Sequence, residues 1–196
     1  MIQDEKRLKK LAALSYGNIL DVGCDNNPNT FLKNPIGFDL YDSNRDKARN
    51  YQDIILGDCN ELSKYFPECF FDTIIAAELI EHLENPARFL RECKIILKDD
   101  GLLLITTPNP YNITTLIANV LFIDKGIETG VIYGQHINLF PYRNMLTLLK
   151  HCGLKCERVL NATGGTKLIP NSRYFFLPMI KSFCWQLLYI IRKIER

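Results

Sequence analysis

Apolar residues along this chain follow two periods, and the two alternate through its first half. Short, nearly continuous apolar runs occur at Ile19–Val22, Ile36–Leu40, Asp53–Leu56, Phe70–Ala77 and Leu102–Thr106. Several are apolar at successive positions, which predicts strands covered on both faces. Between the runs lie polar or amphipathic segments. Residues 3–14 place Leu8, Leu11, Ala12 and Leu14 among charges at helical spacing, predicting a short lead-in helix. Pro86–Leu97 is the clearest helix: Phe89, Leu90, Cys93, Ile96 and Leu97 share one face, and Arg88, Arg91, Glu92 and Lys94 the other. Asn85 supplies an N-cap, Pro86 suits the first helical position, and Gly101 follows the polar exit. A series of this kind predicts an α/β fold built on a parallel sheet.

After Thr107 the pattern changes. Ile113–Ile123 reads as an apolar helix, 124–133 as a loop with two glycines, and Tyr142–Cys152 as a helix capped by Gly153. Leu154–Leu160 reads as a strand, and Gly164-Gly165 as a turn. The apolar stretch from Tyr174 onward is too interrupted by Pro178, Lys181, Ser182 and Gln186 to span a membrane. It admits two readings: a helix followed by a last antiparallel strand at Gln186–Ile194, or peripheral membrane contact through residues 174–196, with Lys181, Arg192, Lys193 and Arg196 at the lipid surface. The strand reading is preferred. With no repeat, low-complexity tract or linker, residues 1–196 are expected to form one domain.

Composition narrows the function classes. Hydrophobic residues at 47% and charged residues at 23% are those of an ordered globular chain. A net charge of +2, without basic tracts interleaved with aromatics, argues against a nucleic-acid partner. The seven cysteines form no CxxC pair and do not combine with His82, His136 and His151 at zinc spacing, so no metal is expected. An odd cysteine count in apolar runs predicts free thiols, and the charged N-terminus lacks a secretory h-region; a cytoplasmic protein is expected.

The chemistry-bearing stretch is Asn18-Ile-Leu-Asp-Val-Gly-Cys-Asp-Asn-Asn27, followed by Ile36-Gly-Phe-Asp-Leu40. A strand running into a tight loop, then a second strand ending on Asp39, is how an open parallel sheet holds a nucleoside-type cofactor. A dinucleotide fingerprint needs glycine at the first, third and sixth loop positions. Counting from Gly23, those positions hold Asp25 and Pro28, which argues against a nicotinamide-dependent reductase.

What remains, Asp21-Val-Gly23-Cys, resembles the glycine-rich first motif of class I S-adenosylmethionine-dependent methyltransferases. The resemblance continues through Gly37-Phe-Asp39-Leu, Gly57-Asp58-Cys59, Phe71-Asp-Thr-Ile-Ile-Ala-Ala-Glu78-Leu-Ile-Glu81-His82, and Leu97-Lys-Asp-Asp-Gly101 with the following strand. It is nearest to the small enzymes of quinone biosynthesis and of sugar or natural-product modification. It implies a Rossmann-like seven-stranded, mostly parallel sheet with an antiparallel last strand and helices on both faces. It also implies S-adenosylmethionine as cofactor, with S-adenosylhomocysteine as product. Asp21 would receive the methionyl ammonium, and the backbone at Gly23 and Cys24 would pass close beneath the cofactor. Asp39, with Leu40 beside it, would accept the ribose hydroxyls. Asp58 and the Cys59 backbone would meet the adenine, and Glu78 to His82 would line the methyl-transfer site.

Asp25 and Asn27 stand where the family has glycine, at positions that often need positive φ; asparagine visits that region most easily. The Asp25 charge would weaken cofactor affinity or point outward. Asp58 either meets adenine or caps the turn after it. His82 and His136 are the candidate general bases, each equally readable as a capping or loop-ordering residue. Asn109-Pro110-Tyr111 follows the fifth strand and reads as its exit turn, and Tyr111, Tyr133 and Tyr142 are acceptor-pocket candidates by location. The expected acceptor is a small-molecule or lipid-like hydroxyl compound; the alternative is a non-catalytic binding or scaffold domain on the same fold.

Overall fold

The computed structural model describes residues 2–112, 136–163 and 184–194. Helix α1 (Ile2–Leu14) leads into strands β1 (Ile19–Val22), β2 (Ile36–Asp39), β3 (Asp53–Leu56) and β4 (Phe71–Ala77). Helix α2 (Pro86–Ile96), β5 (Leu97–Pro108), α3 (Tyr142–His151), β6 (Leu154–Asn161) and β7 (Gln186–Lys193) follow. The strands form one seven-stranded sheet in the order β3-β2-β1-β4-β5-β7-β6. Strand β7 runs antiparallel to β5 and β6, while β1 to β5 pair in parallel. The fold is therefore the Rossmann-like α/β sheet with an antiparallel last strand that the pattern implied.

Alternation along each central strand divides the interior in two. Leu20, Val22, Ile74, Ala76, Leu103, Ile105, Leu187, Tyr189 and Ile191 face one cluster with Phe89, Leu90, Cys93 and Ile96 of α2 and Met145 and Leu149 of α3. Ile19, Ile75, Leu102, Leu104, Leu188 and Ile190 face the other, closed by Leu11 of α1 and by Leu32. Helices thus cover both faces. The α2 cap forms as expected, with the Asn85 side chain accepting from the Arg88 N–H at 3.0 Å.

One local expectation is corrected. Strand β5 begins at Leu97, not Leu102: Leu97 pairs with Phe71 and Leu102 with Thr73, so the residues between them bulge from the ladder. The bulge is tied down by Lys98, bonded to Asp72 at 2.8 Å, and by Arg192, which donates to the Asp100 and Gly101 carbonyls. Among the described residues no helix joins β1 to β2, and short 3-10 turns at Arg45–Lys47 and Cys59–Lys64 stand where longer helices are usual. Residues 186–193 form the last antiparallel strand, as the preferred reading expected, placed between β5 and β6 with Arg192 paired to Glu157 and Lys193 to Asp99. Residues 174–183, the helix at Ile113–Ile123, the loop 124–133 and the Gly164-Gly165 turn lie outside the described residues. Among the described residues no helix is long and apolar enough to cross a membrane, and all seven cysteines are free.

Helix α1 is locked to the sheet by backbone hydrogen bonding through one side chain. Gly17, at φ 62°, makes the turn into β1; a Cβ there would lie 2.3 Å from an Asp72 carboxylate oxygen. The fully buried Thr73 hydroxyl accepts from the Tyr16 N–H (3.0 Å) and donates to the Tyr16 carbonyl (2.9 Å). Thr73→Val keeps the shape and strands both Tyr16 groups, so it is expected to cost about 1–3 kcal/mol in urea unfolding. A change below about 0.5 kcal/mol would mean that water replaces the hydroxyl at no cost.

Candidate functional site

Strand order reverses between β1 and β4, whose outgoing loops diverge to opposite sides of the sheet. Ligands of open α/β sheets lodge in the crevice left there. Gly23 opens that crevice at φ 77°, with its N–H bonded to the Phe38 carbonyl at 2.8 Å. A Cβ at Gly23 would sit 3.1 Å from Leu79, so the residue keeps open the cradle a cofactor backbone contact needs.

Asp39, at the tip of β2, organises both neighbouring loops. One carboxylate oxygen accepts the Leu40 N–H (2.7 Å) and the other the Asp25 N–H (2.8 Å). Asp25 in turn accepts the Asn44 N–H at 2.8 Å and is buried. It does not point outward, as its charge suggested; it clasps the loop after β2 to the loop after β1. Neither Asp25 nor Asn27 takes a positive φ, because the loop makes its left-handed turn at Gly23 alone. Cys24 presents only its backbone, since its thiol is buried 2.9 Å from where a Gly37 Cβ would stand.

Asp21 is buried beneath the loop and accepts the Tyr51 O–H at 2.5 Å; the Tyr51 oxygen accepts the Asn29 N–H at 2.8 Å. Burial raises the Asp21 carboxyl from 3.8 to about 6, against the lowering effect of these bonds. Arg7, on the buried side of α1, acts on this carboxylate and stands 3.6 Å from Glu78. Its Nε has no hydrogen-bond partner among the described residues. Glu78 leaves β4 at φ 55°, a conformation non-glycine residues rarely adopt, held by its N–H to the Thr106 carbonyl (3.0 Å) and by Gln186 on its carboxylate (2.7 Å). Burial pushes Glu78 upward as well.

On the third loop, the Asp58 carboxylate accepts from the Asn60 N–H at 2.8 Å and caps the 3-10 turn. The Asn60 side-chain amide donates to the same oxygen at 3.0 Å, and no described residue donates to the other. Cys59 is half-buried, its thiol pushed up to about 12 by desolvation. Leu40, Tyr41 and Leu56 are exposed around the same rim and offer apolar surface to a flat ring.

His82 and His136, distant in sequence, meet at the exit of β4 with ring centroids 4.7 Å apart. Asn138 fixes the encounter: its N–H donates to the Glu81 carbonyl (3.0 Å) and its side chain to the Leu83 carbonyl (2.6 Å). Beside the two rings the Glu81 carboxylate is 1% exposed, and burial together with the neighbouring Glu78 charge raises it to about 8. Tyr111 and Tyr142 instead line a cavity with Asn109, Cys156 and Arg158 whose walls do not include the histidines, and Tyr133 lies outside the described residues. Asn109 makes the exit turn expected of it, its side chain accepting the Tyr111 N–H at 3.1 Å. Arg7, Tyr51 and Gln186 were not singled out by sequence as parts of the site; each sits in a locally ordinary helix, loop or strand, and only tertiary contact reveals it.

The fold and this crevice define a Rossmann-like protein that binds a nucleoside-type cofactor. Residues 4–159 match the methyltransferase domain family, and the chain belongs to it, an S-adenosylmethionine-dependent class. It is 32% identical over 114 residues to a ubiquinone biosynthesis O-methyltransferase of Rhodopseudomonas palustris, covering 54% of this chain and 45% of that one. It is 25% identical over 195 residues to an uncharacterized protein of Methanocaldococcus jannaschii, covering 90% and 76%. The crystal structure of a SAM-dependent methyltransferase from Thermotoga maritima superposes with a TM-score of 0.70 at 15% identity, over 97% of this chain and 88% of that one. The match spans less than half the length of the ubiquinone enzyme and as little as 16% of another curated relative.

The raised Asp21 carboxyl binds its proton more tightly folded than unfolded. The folded chain therefore loses stability as pH rises from 3.8 to about 6. Asp21→Asn is neutral throughout. Its stability advantage over the wild type is expected to grow from near zero at pH 4 to about 3 kcal/mol at pH 7 in urea titrations. A constant difference across that window would show Asp21 to be solvated.

Proposed function

We propose that the protein moves the methyl group of S-adenosylmethionine to a hydroxyl oxygen of a small apolar or lipid-like acceptor. The observation that carries this reading is the meeting of His82 and His136 at the mouth of β4, beside the crevice opened by Gly23. Bound S-adenosylmethionine supplies a methyl group on a positively charged sulfur, an excellent leaving group. Asp39 would hold the ribose hydroxyls, the open Asp58 oxygen and the Cys59 backbone the adenine, and Asp21 the methionyl ammonium. Arg7, with its uncommitted Nε, would take the methionyl carboxylate.

The remaining task is to align an acceptor and to keep water out. The His82–His136 pair would orient the acceptor hydroxyl and receive its proton, an imidazole being matched to that duty near neutral pH. Ile137 and Leu139, exposed on the segment that carries His136, offer an apolar approach. The name of the ubiquinone O-methyltransferase relative, an oxygen methylase, agrees in kind.

The test is incorporation of labelled methyl from S-adenosylmethionine into a panel of phenols, catechols and their isoprenoid-tailed forms. Label is expected in an ether linkage. His136→Ala should lower turnover about 10²- to 10⁴-fold. Asp39→Ala should weaken S-adenosylhomocysteine binding at least about tenfold, the cost of one lost charge-assisted pair. Label transferred only to amines or nucleic acid would overturn the reading. Absence of cofactor binding would turn it toward a scaffold domain.

A further inference from the structure

We propose that the open cavity where the last turns of α2 and α3 meet the start of β4 binds the phosphate group of a small phosphate ester or of a lipid headgroup. The cavity has a volume of about 620 Å³, and Arg91, Lys94, Lys150, His151 and Lys193 line it, with Glu68 as the one acid in its described lining. The whole chain carries a net charge of only +2, so this concentration of cations is local and not a property of the surface at large. Lys193 is engaged by Asp99 at 2.9 Å and donates to the Cys69 thiol at 3.6 Å. Arg91, Lys94 and Lys150 have neither an ion pair nor a hydrogen-bond acceptor among the described residues.

Cations at the C-terminal ends of helices ordinarily serve the orphan carbonyls there. In this cavity the backbone already serves them. The Ile95 and Ile96 carbonyls of α2 accept the Cys69 and Phe70 N–H groups at 3.0 and 2.8 Å. At the end of α3 the Cys152 N–H donates to the Leu148 and Leu149 carbonyls, and the Gly153 N–H to that of Lys150. The arrangement is nevertheless held closely. Gly153 turns at φ 74°, and an added Cβ would collide with the Lys94 ammonium. Burial raises the Cys152 thiol while the Arg91 and Lys94 charges oppose that rise, which places both cations over the buried sulfur at the cavity floor. Like charges gathered in this way repel one another, and a bound anion turns that repulsion into attraction.

The donor set also selects the anion. Uncommitted cations on three sides match the two charges of a phosphate monoester better than the single charge of a carboxylate. Arg91 offers a planar fork to two phosphate oxygens, and Lys94 and Lys150 offer mobile point charges to the others. The volume exceeds that of a phosphate alone and lies in the range of small-molecule sites, and the exposed Ile95 offers apolar surface to whatever carries the phosphate. The cavity adjoins the start of β4, and the cofactor crevice its end. Seven residues at about 3.3 Å each hold the two roughly 20 Å apart, so an anion here does not compete with the cofactor. The site is independent of the reading of the acceptor.

The experiment is calorimetric titration of the full chain with inorganic phosphate and with glycerol 3-phosphate at about 0.1 M sodium chloride, beside co-sedimentation with phosphatidylcholine vesicles with and without phosphatidic acid. Binding with a dissociation constant of about 1 mM or tighter, or sedimentation with the acidic vesicles alone, is expected. The double variant Lys94→Met, Lys150→Met, which keeps the apolar stems, should weaken binding at least about tenfold, with S-adenosylhomocysteine affinity and thermal unfolding unchanged. Lys33→Met, exposed away from the cavity, should leave binding as it is. Binding of the soluble anions assigns the site to a phosphate ester, and capture by phosphatidic acid that they fail to reproduce assigns it to a lipid headgroup. No binding in either arm, full binding by the double variant, or an equal loss on Lys33→Met overturns the site.

Discussion

Three carboxylates, those of Asp21, Glu78 and Glu81, are withdrawn from water at the C-terminal ends of β1 and β4, and the Arg7 guanidinium acts on all three. Desolvation is the largest cause of the raised proton affinity in each case, so the arrangement opposes the stability of the empty protein. Such a site is complementary to positive charge. A methionyl ammonium or a sulfonium would each bring back the electrostatic partner that burial removed. Binding would then be favoured twice, by new contacts and by relief of a cost already present.

The rest of the fold holds that unfavourable cluster in place. Two apolar layers, one under α2 and α3 and the other under α1, fix β1, β4 and β5 from both sides. The loops above are held by polar bonds that leave little slack. Asp39 and Asp25 each spend carboxylate oxygens on backbone N–H groups of the adjoining loops, and Tyr51 bridges Asp21 to the Asn29 backbone. Glu78 can sit in a left-handed conformation because Thr106, Gln186 and Arg7 together over-determine it. Strain and burial at these positions are what a pre-organised ligand site costs in the absence of its ligand.

Much of this was legible in the sequence, for a reason particular to parallel sheets. Strands buried on both faces must be continuously apolar, and Ile19–Val22 and Phe71–Ala77 announce themselves in that way. Gly23 and Asp39 were legible because chemistry restricts which residues can stand there. The start of β5 was not, since Asp99, Asp100 and Gly101 carry the composition of a turn and are in fact a bulge within the ladder. Of the two readings open for Asp25, a charge near the cofactor or a side chain turned outward, the second fails because a backbone N–H from Asn44 satisfies the carboxylate inside. Arg7 and Gln186 had no local signal at all. One looks like any charge on an amphipathic helix and the other like the polar start of a strand.

The histidines show where pattern reading ends. Each was readable alone as a base, a cap or a loop anchor, and nothing in the spacing from His82 to His136 suggested a shared centre. Their meeting depends on Asn138, whose bonds to the Glu81 and Leu83 carbonyls are made by an otherwise unremarkable loop residue. Once that clamp is in place, the identity of the third member decides the chemistry. With a solvated residue at position 81 the pair would be two imidazoles exchanging protons with water. With the buried Glu81 carboxyl beside them, raised to about 8 by desolvation and by the Glu78 charge, the two imidazoles have a neighbour that keeps its own proton near neutral pH.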